Sequence, residues 1–178
     1  MQKQTISQSL RAIKRLKGQM AELSLRASEN VSHEASKQPH FAFVDTRTKV
    51  DEVREQLILL ESSVAIANAT TTIHVEERSM TIAEAIRRLQ ETKSEISWLA
   101  GLHLKEGTER VSDGYDWDED PRRRTPKMRE VTHVTALHEP ERVAQIDALK
   151  ERFERINDAI EAANHTTPVR SLKEPGTA

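Results

Sequence analysis

Apolar residues recur along the chain in alternating steps of three and four, the spacing of one face of an α-helix. The pattern is clearest from Val50 to Ala67 and from Ile146 to Ala163, and two further stripes begin at Ile6 and Ile82. The pattern predicts four helices, at 5–27, 48–69, 81–104 and 139–165. We therefore expect a mainly α protein.

The four helices form two copies of one helix–connector–helix unit. The strings ANATT and ANHTT close the second helix of each copy, and the apolar positions before them match at an offset of 96 residues. The first helices of the two copies match at an offset of 76 residues, so the second connector is longer. We predict one domain over 1–178, with units at 1–72 and 79–167, an enlarged loop at 101–130 and a tail at 168–178.

The duplication also predicts an architecture. Two helical hairpins related by a pseudo-twofold axis, packed as an antiparallel four-helix bundle, would bury all four apolar stripes. The connectors contain HFAFV, from His40, and VTHVTAL, from Val131, which are rich in residues that favour strands. We expect these two strings to pair as a short β element.

Polar residues near the helix ends predict how the helices begin and stop. A Thr followed three residues later by Gln or Glu has the spacing of a capping box, and an Asn close to a helix end can supply side-chain hydrogen bonds. The predicted structural caps are Thr5, Gln8, Thr81, Glu84, Asn68 and Asn164. A second interpretation, in which the duplicated Asn-x-Thr-Thr motifs form a symmetric polar site, stays open.

Two lysines fall at matching positions of the apolar stripes, Lys17 in the first copy and Lys93 in the second. A charge there needs a partner or a route to solvent. We expect a structural salt bridge, with Glu61 or Asp158 as the partner, or a polar device that fixes the packing register.

Composition narrows the classes of partner. The net charge is -2 and the sequence pI is about 6.4, so the chain lacks the basic field that binds nucleic acid or anionic membranes. No stretch approaches the ~18 apolar residues of a membrane span, and the first residues lack an apolar export signal. There are no cysteines. We expect a protein that is cytoplasmic when synthesised and that binds neither nucleic acid nor membrane.

The acidic stretch VSDGYDWDED resembles a calcium-binding loop but lacks its key positions. Counting from Asp116, Pro121 stands where the loop needs Gly and Lys127 where it needs a bidentate Glu. Arginines follow at once, so the segment is either a solvated loop or a docking surface anchored by large aromatic side chains. The candidate interface residues are Tyr115, Trp117, Arg122, Arg123 and Arg124.

Enzyme motifs are not recognisable in the chain. None of the seven histidines has the spacing of a tight metal site, and no serine lies in a nucleophile elbow. We predict no catalytic residue, metal or cofactor. An alternative is a metal-dependent hydrolase with a site between the hairpins, built from His133, His138 and carboxylates of the last helix.

The order of several strings suggests a family. SMTIAEAIRRLQETKSEISWL, a loop with Tyr115, VTHVTAL and IDALKERFERINDAIEAANHTT together resemble the septicolysin-like family of uncharacterised bacterial and phage helical proteins. The resemblance covers most of the chain. It implies Asn-x-Thr or Asn-Trp-x-Thr motifs at the helix ends, where His165 replaces the aromatic, and the loop 101–128 is enlarged. The family name implies a cytolysin, but no membrane-insertion segment is recognisable here.

The leading hypothesis is a non-enzymatic structural protein. The unit is duplicated without duplicated chemistry, and some apolar residues lie off the main stripes, where a second interface can use them. These residues are Leu16, Leu25, Ile58, Leu59 and Ile66. We expect a homo-oligomer that assembles with other proteins in a phage virion, as part of the capsid or tail, or in a similar large assembly. The alternative is an adaptor that docks one partner through the loop 113–124.

Overall fold

The computed structural model of the chain describes residues 4–117 and 124–170. Within these residues there are four helices, and the mainly α class is confirmed. The helices are α1 (Ile6–Glu29), α2 (Phe43–Thr70), α3 (Ile82–Ala100) and α4 (Glu139–Thr166). Two small antiparallel sheets accompany them, β1 (Thr72–Val75) with β2 (Arg78–Thr81) and β3 (Gly107–Trp117) with β4 (Arg124–His133).

The chain divides into two compact units. The first consists of Met1–Gln90 with Glu154–Ala178, and the second of Glu91–Phe153. Helices α3 and α4 contribute residues to both units, so the division does not follow the two copies of the repeat.

The core of the first unit forms where the apolar stripes of the helices meet. Ile6, Ile82 and Ile156 are almost fully buried there. Residues of β1 and β2 join the same cluster, as do Leu57 and Val64 of α2. Helices α1 and α2 pack along one another, and Lys17 Nζ of α1 lies 2.7 Å from Glu61 Oε1 of α2. The predicted salt bridge between Lys17 and Glu61 is confirmed.

The repeat is visible in three dimensions in the first unit. The backbone N–H of Ile6 donates to the carbonyl of Thr167, and that of Ile82 donates to the carbonyl of Thr71, each at 3.0 Å. The acceptors differ by the offset of 96 residues and the donors by the offset of 76. Both pentapeptides therefore end a helix and lead the chain to the start of another helix in the same way.

The helix starts follow the predicted caps in part. Thr5 and Gln8 form a complete capping box, with bonds of 3.3 Å from the Gln8 N–H to Thr5 Oγ1 and 3.0 Å from the Thr5 N–H to Gln8 Oε1. In the second copy the Glu84 N–H donates to Thr81 Oγ1 at 3.1 Å. The Glu84 carboxylate accepts from Arg78 and Arg88.

The helix ends use threonine side chains. Thr70 Oγ1 donates to the carbonyl of Ile66 at 2.8 Å, and Thr166 Oγ1 donates to that of Ala162 at 3.0 Å. Asn68 lies within the last turn of α2, and its Oδ1 is buried without a hydrogen-bond partner in the described part of the chain. The asparagines are thus inside the helices, while the threonine hydroxyls bond to the last carbonyls.

The predicted pairing of HFAFV with VTHVTAL is wrong. Phe43 is the first residue of α2, and residues 38–42 are irregular. Residues 131–133 do belong to a strand, but β4 pairs with β3, with Glu109 opposite Val131. The residues of β4 pair with β3 because closing a short hairpin costs less chain entropy than joining two distant connectors.

The second unit contains the β3–β4 hairpin with the end of α3 and the start of α4. The pairing shifts between Ser112 and Tyr115, where Gly114 has a positive φ of 96° that favours glycine. Arg142 Nη1 of α4 donates to the carbonyl of Leu102 at 2.9 Å. This bond connects α4 to the segment that follows α3.

Candidate interaction surfaces

Helix α2 has apolar residues on two opposite faces. Leu57, Val64 and Ala67 are buried in the core. On the other side Ile58 and Ile66 are 48% and 50% exposed. We call this side the outer face of α2, and it consists of Glu55, Ile58, Leu59, Ser62, Ala65, Ile66 and Ala69. Of the five off-stripe residues predicted to suit a second interface, Leu25, Ile58 and Ile66 are exposed, whereas Leu16 and Leu59 are partly buried.

The carboxyl-terminal half of α2 is almost free of charge. From Gln56 to Thr70 the sequence has one ionisable residue, Glu61, and it pairs with Lys17 of α1. Uncharged side chains on both sides of a helix are unusual in contact with water, because a surface helix normally alternates an apolar stripe with a charged one. This half of α2 therefore has the composition of a helix that is covered on both sides.

Helix α4 supplies an internal comparison. At the offset of 96 residues, the buried Val64 and Ala67 correspond to the buried Ile160 and Ala163. The outer face, in contrast, corresponds to exposed and mostly charged residues, in order Glu151, Glu154, Arg155, Asp158, Glu161, Ala162 and His165. The repeated fold thus requires the inner face in both copies, while an apolar outer face occurs only in α2.

The amino-terminal part of α2 is highly charged. Asp51 accepts hydrogen bonds from Arg47 Nε, at 3.0 Å to Oδ2, and from Arg54 Nη1. These bonds, that from Arg47 first, lower the pKa of the Asp51 carboxyl. The trio of Arg47, Asp51 and Arg54 therefore has a net charge of +1.

The connector between α1 and α2 and the helix ends beside it expose large apolar side chains. Leu25 and Val31 are exposed, and so are Phe41 and Val44. The guanidinium of Arg26 lies 5.3 Å from the centre of the Phe41 ring. A depression of about 350 Å³ opens beside them, with Val31, Phe43 and Val50 among its lining residues.

Charged side chains of the β3–β4 hairpin pair with one another across the strands. Arg110 Nε lies 3.1 Å from Glu130 Oε1, and Arg129 Nε lies 3.6 Å from Asp113 Oδ1. These residues are exposed, so the pairs contribute little to stability. These two pairs match opposite charges across the strands of the hairpin.

Three of the candidate interface residues of the enlarged loop, Tyr115, Trp117 and Arg124, belong to the paired strands of this hairpin. Tyr115 is paired with Pro126 and Trp117 with Arg124 in the register of the two strands. The remaining two candidates, Arg122 and Arg123, lie outside the described residues.

The two histidines of the hydrolase alternative contact carboxylates of the segment after α3. His133 Nε2 lies 2.7 Å from Glu109 Oε1, and His138 Nδ1 lies 3.1 Å from Glu106 Oε1. The hydrogen bond from His133, followed by that from Lys105, lowers the pKa of Glu109. Over residues 4–117 and 124–170, no three His, Asp or Glu side chains come together in a group that could hold a metal ion.

Comparisons with known proteins establish the fold alone. No protein-family model matches the chain, and no curated protein matches it in sequence. A crystal structure of a functionally unknown conserved protein from Corynebacterium diphtheriae is similar, with a TM-score of 0.64 and 14% sequence identity. The similarity covers 95% of this chain and 100% of that chain. This arrangement of helices and sheets therefore also exists in a distant bacterial protein.

A membrane-spanning helix is not found among the described helices, since none is both long and apolar enough to cross a bilayer.

Two features were missed in the sequence. The β1–β2 hairpin connects α2 to α3. Its turn contains no glycine, and Glu76 takes the left-handed conformation there, with φ of 56°. The contrast between the outer faces of α2 and α4 was also missed. A comparison of the two copies at the offset of 96 residues, position by position, would have found it.

Proposed function

We propose that this protein is a non-enzymatic structural protein that associates with copies of itself and with other proteins, as a component of a phage virion, in its capsid or tail, or of a similar large assembly. The observation that carries this proposal is the outer face of α2. It exposes Ile58 and Ile66, and from Ile58 to the end of the helix this face contains no charged residue.

The free energy of burial favours association through this face. Fully burying an Ile side chain contributes roughly 1.5–3 kcal/mol, and Ile58 and Ile66 are each about half exposed. Leu59 and the small residues between them add further apolar area. Single exposed apolar residues need no explanation, but a continuous uncharged helix face does.

The comparison with α4 supports a role for the face in binding, because the same backbone position tolerates charge. If the fold alone determined these residues, charged side chains such as Glu154 and Asp158 would serve in α2 as they do in α4. Two finer features belong to the same proposal, namely the packing of the helices as an antiparallel four-helix bundle and the kinship with the septicolysin-like family.

Light scattering after size exclusion, repeated across protein concentrations, tests the proposal. We expect a mass that is a multiple of 20.2 kDa. In a matched variant, Ile58→Glu with Leu59→Arg, Ser62→Asp and Ala65→Glu places the outer-face residues of α4 on α2. We expect this variant to keep its helical circular dichroism and to be a monomer.

A control variant separates the apolar face from a general effect of charge. Glu154→Lys with Asp158→Lys reverses charges on the equivalent face of α4, and we expect it to keep the mass of the unmodified protein. A monomeric unmodified protein at every concentration would refute self-association.

The adaptor hypothesis has one observation in its favour. In the described residues β3 and β4 pair only with each other, so each has a free edge that can accept a strand of a partner. Replacing residues 113–124 with a two-residue turn should then abolish the capture of a partner protein and leave the mass of the self-association unchanged.

A further inference from the structure

We propose that two copies of this chain pair through the outer face of α2, antiparallel and with Ser62 at the twofold axis. The inference rests on the proposed self-association and specifies its surface, its direction and its register. A second copy is the occupant because the sizes and charges along α2 complement those of the same helix turned end for end.

The outer face has the shape of a helix-packing seam. At about 100° per residue, Glu55, Ser62 and Ala69 lie close to one line along the helix. Ile58 and Ala65 flank this line on one side, and Leu59 and Ile66 flank it on the other. Small residues at the centre of the line let two helix axes approach closely, as they do in packed helix pairs.

The register follows from the sizes of the side chains. With Ser62 opposite Ser62 of the partner subunit, the twofold axis keeps each flank on its own side, so Ile58 faces the small residue at position 65, and Leu59 faces the residue at position 66. The bulky Ile58 thus meets a small Ala, and Leu59 packs against an Ile. The contact runs from residue 55 to residue 69, which is about 21 Å of helix at ~1.5 Å per residue.

Charge selects the antiparallel direction. A parallel pair would place Asp51 and Glu55 against their own copies, and like charges repel. In the antiparallel pair, Arg54 comes opposite position 70, at the carboxyl end of the other α2. That end has no basic residue of its own in its last turn. The Arg54 guanidinium therefore comes level with a helix terminus that favours cations, and the Asp51 and Glu55 carboxylates of the two copies lie at opposite ends of the contact.

The same arrangement is unfavourable for α4. Position 62 corresponds to Asp158, so the equivalent twofold contact would place two carboxylates against each other. Positions 59 and 65 correspond to Arg155 and Glu161, whose solvated charges would lose water on contact. The pairing we propose is therefore specific to the first copy of the repeat, although both copies share one fold.

Disulfide cross-linking tests the register, because the chain has no cysteine of its own. Ser62→Cys places one thiol at the proposed axis, and Asp158→Cys is the matched control in α4. Under mild oxidation we expect Ser62→Cys to form covalent dimers about a hundredfold faster than Asp158→Cys, since a preformed contact raises the effective concentration of the second thiol.

A second pair of variants tests the direction. Glu55→Cys and Ala69→Cys, mixed in equal amounts, should form mainly the mixed disulfide dimer, because position 55 faces position 69 across the antiparallel contact. A covalent dimer of Glu55→Cys alone, formed as fast as the mixed one, would indicate a parallel pair and overturn the proposal.

The outcomes separate this inference from the proposed function. A multiple mass for the unmodified protein, with Ser62→Cys no faster than Asp158→Cys, overturns the α2 contact and leaves self-association in place. A monomer at every concentration overturns both. Circular dichroism of each variant confirms that it is folded before cross-linking is compared.

Discussion

The backbone N–H of Ile6 donates to the carbonyl of Thr167 at 3.0 Å, joining the start of the first helix to the segment that follows the last. Next to this bond, the Val169 N–H donates to the carbonyl of Gln4 at 2.7 Å. These two bonds pair the segment before α1 with the segment after α4. The β1–β2 hairpin pairs the segments between α2 and α3 in the same way.

The side chain of Val169 is buried in the core at this junction, so its truncation should destabilise the protein. The side chain is 6% exposed and corresponds to the buried Ile73 of β1. We expect Val169→Ala to lower the free energy of unfolding by about 1–2 kcal/mol, from the loss of two buried methyl groups. Urea denaturation measures the change. Val134→Ala, at a position that is 90% exposed, is the control and should change stability by less than about 0.5 kcal/mol.

The repeat places a buried serine in one copy where the other has alanine. Ser9 is 0% exposed, its Oγ has no hydrogen-bond partner within the described residues, and its counterpart Ala85 is 0% exposed. A buried hydroxyl without a partner is destabilising, so we expect Ser9→Ala to raise the free energy of unfolding by about 1 kcal/mol. Ala85→Ser should lower it by about 1–3 kcal/mol. A loss of stability in Ser9→Ala would mean that the hydroxyl has a partner after all.

The capping box at α1 should contribute measurably to the free energy of unfolding. Thr5→Ala removes the acceptor for the Gln8 N–H, and we expect a loss of about 1 kcal/mol in thermal or urea denaturation. Thr5→Ser keeps the hydroxyl and should cost only a few tenths of a kcal/mol. Equal losses in the two variants would show that the methyl group, rather than the cap, matters here.

Acid should weaken the hydrogen bonds of Glu109 in the β3–β4 hairpin. Its pKa in the folded protein is lowered from 4.5, chiefly by the hydrogen bond from His133 and then by that from Lys105. A lowered pKa means that the bonds contribute stability above the unfolded pKa, and that this contribution is lost as the pH falls through the folded pKa. An NMR titration of the Glu109 carboxyl measures this pKa.

Two variants identify the cause of that shift. His133→Ala should raise the pKa of Glu109 more than Lys105→Ala does, since the bond from His133 is the larger cause. The opposite order would assign the shift to the lysine.

The helices could be predicted from the sequence because each buries a long periodic stripe. The predicted span of 139–165 agrees with α4 within one residue. The start of α2 was harder to predict, because Phe41, Phe43 and Val44 have side chains that favour strands, although none of the described strands pairs with them. In the fold, Phe43 and Val44 extend the helix instead, five residues before the predicted start at 48.

The sheets were harder to predict for two physical reasons. Over 107–114 and 126–133 the side chains of β3 and β4 are largely exposed, so these segments lack the apolar alternation of a strand that covers a core. The β1–β2 turn uses Glu76 in a left-handed conformation, held by a 3.0 Å contact from Arg155 Nε to Glu76 Oε1, where sequence rules look for Gly or Asn. The candidate interface on α2 depends on a contrast between the two copies rather than on a motif.

The bond that joins Gln4 to Val169 also allows the helices and strands to be connected in a different order along the chain. The ends of the described chain lie side by side as the strands of the β1–β2 hairpin do, so a short linker from 170 to 4 could connect them while the chain is opened at the turn of Glu76 and Glu77. Such a circular permutant would begin with β2 followed by α3, and would end with α2 followed by β1. It would keep the buried cluster that the described residues of the first unit form, and it would exchange the positions of the two repeats along the chain.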